Sequence, residues 1–229
     1  MATDGEKIYA AITGDVAGSA RCRPERLRDV LAGVLARAER FLGGQDATVG
    51  RLAVYRGDSF QGIVSLPELA LPVGLLIRCS LISLGRVADS SRTLDARIAI
   101  GFGGISHLPD PVEPGLAAGE ALELSGPALD AMKRGRMLEA TTPQPEVNKE
   151  LEVHCRLLDA LAGRWSPEQA EVLAMHIEGL DRKKMAERLA VSTQAVGQRL
   201  RLAGQRAIDA TRRRWSELLG RSHANNGKG

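Results

Sequence analysis

Apolar residues recur along this chain first with mixed periods and then with a helical one only. Ile8-Tyr-Ala-Ala-Ile-Thr-Gly-Asp15 is a short apolar run closed by a turn signal, which predicts a buried strand. Leu27, Val30, Leu31, Val34, Leu35 and Phe41 fall at helical spacing over 24–42. Runs at 51–55 and 60–64 flank Arg56-Gly-Asp-Ser59 and predict a hairpin. A strongly apolar helix is expected over 67–84, with Pro72 tolerated in its first turn. A fourth strand is expected over 97–101, a Gly/Pro-rich loop over 103–115 and a helix over 117–132. The order is β-α-β-β-α-β with one helix added, the split-βαβ or ferredoxin-like arrangement.

Beyond this point only helices are predicted. Thr141-Thr-Pro-Gln-Pro-Glu146 punctuates the chain, so a linker is expected at 141–149, between an α+β domain (1–140) and an all-α domain (150–222). A helix is expected over 150–161. Ser166, Pro167 and Gln169 then form a capping box ahead of Ala170, Leu173, Ala174 and Ile177. Met185, Ala186 and Leu189 share one helical face, Ala190-Val191-Ser192 makes a turn, and Val196, Leu200 and Ala203 share the next face. With Ser192 as cap, 181–203 has the pattern of a helix-turn-helix. A long helix with Ile208, Trp215, Leu218 and Leu219 follows over 203–219, and 223–229 has the composition of a disordered tail.

Charge sharpens the picture. Residues 180–214 carry ten Lys/Arg against three Asp/Glu, whereas residues 1–149 carry 17 basic and 18 acidic groups. The positive charge is therefore concentrated on the helix-turn-helix, as attraction to DNA requires. Thr193, Gln194, Gln198 and Arg201 form the inventory that reads base edges in a major groove. Lys183, Lys184 and Arg199 are candidates for phosphate contacts, with Ser192 at the start of the reading helix. One short recognition helix reads few base pairs, so a homodimer on paired half-sites of double-stranded DNA is expected.

Composition excludes several classes. Aromatic residues make up only 3% of the 229, too few for a base-stacking surface for single strands. Cys22, Cys79 and Cys155 are far apart, and His107, His154, His176 and His223 have no metal-ligand spacing, so no zinc site is expected. The apolar stretch 69–84 is broken by Pro72 and Arg78 and is too short to span a bilayer. The start of the chain has no apolar signal region, so the expected location is cytoplasmic.

In the predicted topology the first strand lies antiparallel to the third, which brings Asp15 and Asp58 to one edge of the sheet. Two converging carboxylates are a candidate site for a hard cation such as Mg2+ completed by phosphates; the alternative is that each Asp only caps or turns the chain locally.

Ile12-Thr-Gly-Asp-Val-Ala-Gly-Ser19, Arg56-Gly-Asp-Ser-Phe-Gln61 and Asp95-Ala-Arg-Ile-Ala-Ile-Gly101, in that order, resemble the SatD family. That family joins such a region to a C-terminal helix-turn-helix. The same blocks are similar to class III nucleotidyl cyclase domains, and the C-terminal helices resemble the four-helix DNA-binding region of sigma factors. The cyclase resemblance implies Asp15 and Asp58 as metal ligands, the Val16 carbonyl as a further ligand, and Gly18 and Ser19 beside nucleotide phosphates. It also places Glu123 and Pro127 where cyclases carry the Asn and Arg that position ribose and stabilise the transferring phosphoryl group. The expectation is a DNA-binding regulator whose cyclase-like domain pairs subunits and senses a nucleotide. The alternatives are a metal-dependent nucleotide-processing enzyme tethered to DNA, and a protein-interaction scaffold.

Overall fold

The computed structural model describes residues 7–84, 93–109 and 116–226. The fold is α+β: a five-stranded sheet with eight α-helices among the described residues. The strands are β1 (Tyr9–Ala17), β2 (Thr48–Arg56), β3 (Ser59–Val64), β4 (Asp95–Gly103) and β5 (Leu138–Thr141), in the order β2-β3-β1-β4-β5. β1 runs antiparallel to both β3 and β4, so the first four strands have the split-βαβ order. β5 extends the sheet parallel to β4.

Side-chain alternation along β1 sends Ile12 and Val16 into the main core and Thr13 and Asp15 to the opposite face. On the core side lie α1 (Pro24–Gly43) and α2 (Ala70–Ser83). α2 is apolar all round because it is covered all round, by α1, β4 and the later helices. α3 (Glu120–Asp130) lies on the other face, three residues shorter at its start than expected. It sits close because Gly101 has no side chain: a Cβ there would run into the Ala121 carbonyl.

The segment read as a linker is structured. β5 ends at Thr141, α4 (Pro145–Ala162) opens four residues later, and Thr142 and Asn148 close the step between them. The Thr142 amide donates to Asn148 Oδ1 (2.7 Å) and Asn148 Nδ2 donates back to the Thr142 carbonyl (2.8 Å). The 141–149 linker is thus corrected to a strand end, a fastened turn and the first turn of a helix. α5 (Pro167–Ile177), α6 (Arg182–Leu189), α7 (Thr193–Leu202) and α8 (Gln205–Asn226) complete the chain. α8 runs four residues into the stretch of tail-like composition, because its register continues past Leu219; 227–229 lie outside the described residues.

The helical part docks on the sheet part. One hydrophobic cluster runs from Ile12, Phe60 and Ile98 through Leu75 to Leu173, Ile177 and Trp215. The Phe102 and Trp215 rings meet edge to face at 6.1 Å. Arg78, 1% exposed, joins α2, β4 and α4 by donating to both carboxylate oxygens of Asp95 (3.0 and 2.9 Å) and to Asp159 (2.8 Å). Asp159 also accepts from the Met137 and Leu138 amides and so holds β5 in place.

Candidate functional site

Two places carry the residues singled out by sequence. The first is the sheet edge where β1 ends. Asp15 lies opposite Ser59 on β3 and Arg97 on β4, and the Val16 amide donates to the Asp58 carbonyl (3.3 Å). Topology therefore brings Asp15 and Asp58 to one edge. Gly18 follows in the left-handed region (φ 89°), where a glycine is favoured, and Ser19 opens a short 3-10 turn.

Arg97 dominates this edge. Its Nε donates to Asp15 Oδ1 (2.9 Å) and its Nη2 to Asp15 Oδ2, a bidentate pair. The hydrogen bond to Asp15 raises the Arg97 pKa above its ordinary value, and the charges of Asp15, Asp58 and Asp130 add to that rise. Both oxygens of Asp15 are thus engaged by a guanidinium, and a divalent cation would have to displace it. No group of three or more His, Cys, Asp or Glu side chains is placed to share a metal among the described residues. As arranged, Asp15, Asp58 and the neighbouring Val16 do not fit Mg2+.

The helix above this edge presents other residues than those expected. Glu123 and Pro127 are exposed, on the outer side of α3. The residue turned to the sheet is Ser125, fully buried, whose hydroxyl pairs with that of Thr13 (2.9 Å). Gln61 Nε2 donates to the same Thr13 oxygen (3.3 Å).

The second place is α6–α7. Asp181 caps α6 by accepting from the Lys184 amide (2.8 Å), and Ser192 caps α7 by accepting from the Ala195 amide (3.1 Å). Ala190 ends α6 in the left-handed region (φ 52°), which turns the chain sharply into α7. Met185, Ala186, Val196 and Leu200 bury themselves with Val172 and Met175 in a small core of their own. That packing leaves Thr193, Gln194, Gln198 and Arg201 exposed.

An open groove of about 820 Å³ runs along this face, lined by Arg182, Thr193, Gln194, Gly197, Arg201 and the first turn of α8, including Arg206. Arg182, Arg201 and Arg206 have no ion-pair partner among the described residues, and the lining holds no carboxylate. Arg182 lies against α7 at Gly197, its Nη1 3.6 Å from where a Cβ of that residue would be. Thr193, Gln194 and Arg201 are thus brought together, whereas Gln198, Lys183 and Lys184 stand outside the lining. Lys184 lies 3.7 Å from Asp181. Arg199 is also outside the lining; its charge, after the hydrogen bond with Ser166, contributes to lowering the Glu168 pKa. Residue spacing missed Arg182 and Arg206. Both belong to the basic excess of 180–214, but only the packing of three helix ends brings them to one groove.

Hydrogen bonds tie these helices to the rest of the chain. Trp165 Nε1 donates to the Ala203 carbonyl at the end of α7 (2.9 Å), and His176 on α5 pairs with Asp209 on α8 (3.0 Å). Arg37 on α1 makes two 2.6 Å bonds to Glu178, just past α5.

No family model and no curated protein matches the chain. Solved structures to which it is similar are nucleotidyl cyclase domains. One is the dimeric guanylyl cyclase domain of a RhoGC fusion protein from the aquatic fungus Blastocladiella emersonii (13% identity, 56% of this chain and 76% of that one, TM-score 0.42). Another is the catalytic core of a rhodopsin-guanylyl cyclase with converted specificity, in complex with ATPαS (12% identity, 59% and 78%, TM-score 0.42). A third is a bacterial light-regulated adenylyl cyclase (10% identity, 58% and 75%, TM-score 0.41).

Proposed function

We propose that this protein is a DNA-binding transcriptional regulator that acts as a homodimer, with α6 and α7 as its helix-turn-helix. The observation that carries this reading is the groove: three unpaired guanidiniums beside hydroxyl and amide side chains, with no acid in the lining. Guanidinium and amide groups on an exposed helix face match the acceptors and donors of base edges in a major groove. Thr193, Gln194, Gln198 and Arg201 are assigned to bases, and Lys183, Lys184 and Arg199 to backbone. Arg199 is half-buried and contributes through its charge.

The α+β part is assigned to subunit pairing and to sensing, without cyclisation. Among the described residues of this edge, the Arg97 guanidinium is engaged by Asp15, and Glu123 and Pro127 are exposed and offer no cationic donor to a transferring phosphoryl group. A nucleotide at Gly18 and Ser19 would meet Arg97 where a cyclase substrate meets metal.

The test is selection of duplexes from a random pool by the full chain. The expected product is one preferred sequence arranged as two half-sites about one helical turn apart, bound by two chains. Arg201→Ala should lose that preference, at a cost of about 1–3 kcal/mol for the base it reads. Failure to retain any duplex at low salt would move the reading to an interaction scaffold.

A further inference from the structure

The basic groove is wider than α7 alone. Besides Thr193, Gln194, Gly197 and Arg201 of α7, its lining takes in Arg182 from the start of α6 and the first turn of α8 with Arg206. Three like charges gathered without a counter-ion repel one another, and a bound polyanion relieves that repulsion. A groove of about 820 Å³ far exceeds what one phosphate group fills, and it is open along its length rather than enclosed. Gly204, in the left-handed region (φ 80°), turns the chain so that α8 begins at the groove. The positive end of a long helix is thereby added to the three guanidiniums.

We propose that Arg182 and Arg206 form a backbone clamp: they hold phosphodiester groups of duplex DNA on the two sides of α7 while Arg201 reaches the bases. This rests on the DNA-binding reading above and gives that site its positioning residues. Phosphate contacts fix register and carry no sequence information, so the two arginines and Arg201 have separable signatures.

The experiment is fluorescence anisotropy of the full chain on two duplexes, the selected sequence and a scrambled one, between about 50 and 200 mM salt. Wild type is compared with Arg182→Ala, Arg206→Ala, Arg206→Lys and Arg201→Ala. All four substitutions are at exposed positions, and unchanged melting temperatures confirm folding. Arg182→Ala and Arg206→Ala should weaken both duplexes by the same factor. Each should flatten the slope of log affinity against log salt by about 0.9 per bound chain, about 1.8 for the dimer. Arg206→Lys should keep the slope, and Arg201→Ala should erase the difference between the duplexes. If Arg182→Ala and Arg206→Ala leave the slope unchanged while Arg201→Ala still erases preference, the clamp is wrong and the DNA-binding reading stands. If the two variants lose affinity for inorganic pyrophosphate but not for either duplex, the groove is a small-anion site and the clamp is overturned. If wild type retains neither duplex at the lowest salt, the reading and the clamp fall together.

Discussion

At the scale of single residues, Arg97 decides what the sheet edge can do. A bidentate guanidinium supplies the positive charge that Asp15, 17% exposed at its side chain, needs in a half-buried place. It leaves Asp58 and Asp130 close enough to act on Arg97 through their charge. Removing the guanidinium would leave acidic groups with no counter-ion, the condition under which a hard cation becomes favourable. Arg97→Ala should therefore melt lower than wild type, by on the order of 1 kcal/mol once solvent screening is allowed for. Millimolar Mg2+ should restore part of that loss by binding only the native state, and should leave wild type unmoved. Thermal melts of both proteins with and without Mg2+ measure this. A wild-type melting temperature that rises with Mg2+ would show that the pair opens to admit metal.

Among the elements, those with strong local patterns were legible and those made by their neighbours were not. α1 and α2 follow directly from apolar spacing, and the capping box at Ser166 and Gln169 is formed by both of its hydrogen bonds. β5 is only four residues long, too short to show a period. It exists because the free edge of β4 accepts a strand and because Asp159 on α4 grips the Met137 and Leu138 amides. The convergence of Asp15 and Asp58 followed from strand order alone. The Asp15–Arg97 pair joins residues 82 apart and depends on the register of β1 against β4, which no local pattern encodes. The seam between α4 and α8 was equally hidden, and it carries a titratable group. Trp215 Nε1 donates to His154 Nδ1 (3.1 Å), which requires that nitrogen to be unprotonated. Burial, partly opposed by the charge of Glu150, lowers the His154 pKa from its ordinary value of 6.5. A folded-state pKa below the unfolded one means that the unfolded chain binds more protons between the two values, so stability rises with pH there. The contribution of His154 is thus full above about pH 6.5 and shrinks as pH falls from 6.5 towards the folded-state value. Melting temperatures from pH 7.5 down to 5.5 should drop more steeply for wild type than for His154→Gln, whose amide oxygen can still accept from Trp215. Equal slopes would mean that the ring titrates alike in both states.

For the whole molecule, the question is whether α6 and α7 can move independently of the sheet. The hydrophobic cluster crosses between them without a break, and the Arg78 network lies at the crossing, with Asp95 on a strand and Asp159 on a helix. Burial alone disfavours a charged Arg78; the two carboxylates more than offset this and raise its pKa. Such a network contributes little when intact and costs much when half of it is removed, because the remaining charges are left buried and unpaired. Arg78→Leu should therefore lower stability by about 3–5 kcal/mol. The loss should be felt in both halves, since Asp159 also fixes β5 and α4. Urea unfolding tests this with two probes. The tryptophans, Trp165 and Trp215, both lie after residue 160 and report the helical part, while far-UV circular dichroism reports the whole chain. Coincident transitions are expected for wild type, as one cooperative unit requires, and coincident but earlier ones for Arg78→Leu. A fluorescence transition that separates from the circular dichroism one would mean that the C-terminal helices unfold alone. A nucleotide bound at the sheet edge, as proposed, would then have no rigid route to α6 and α7. If the transitions stay together, then in the proposed DNA-binding dimer a change in how two subunits pair would also change the spacing of their α7 helices, and with it the half-site spacing that such a dimer accepts.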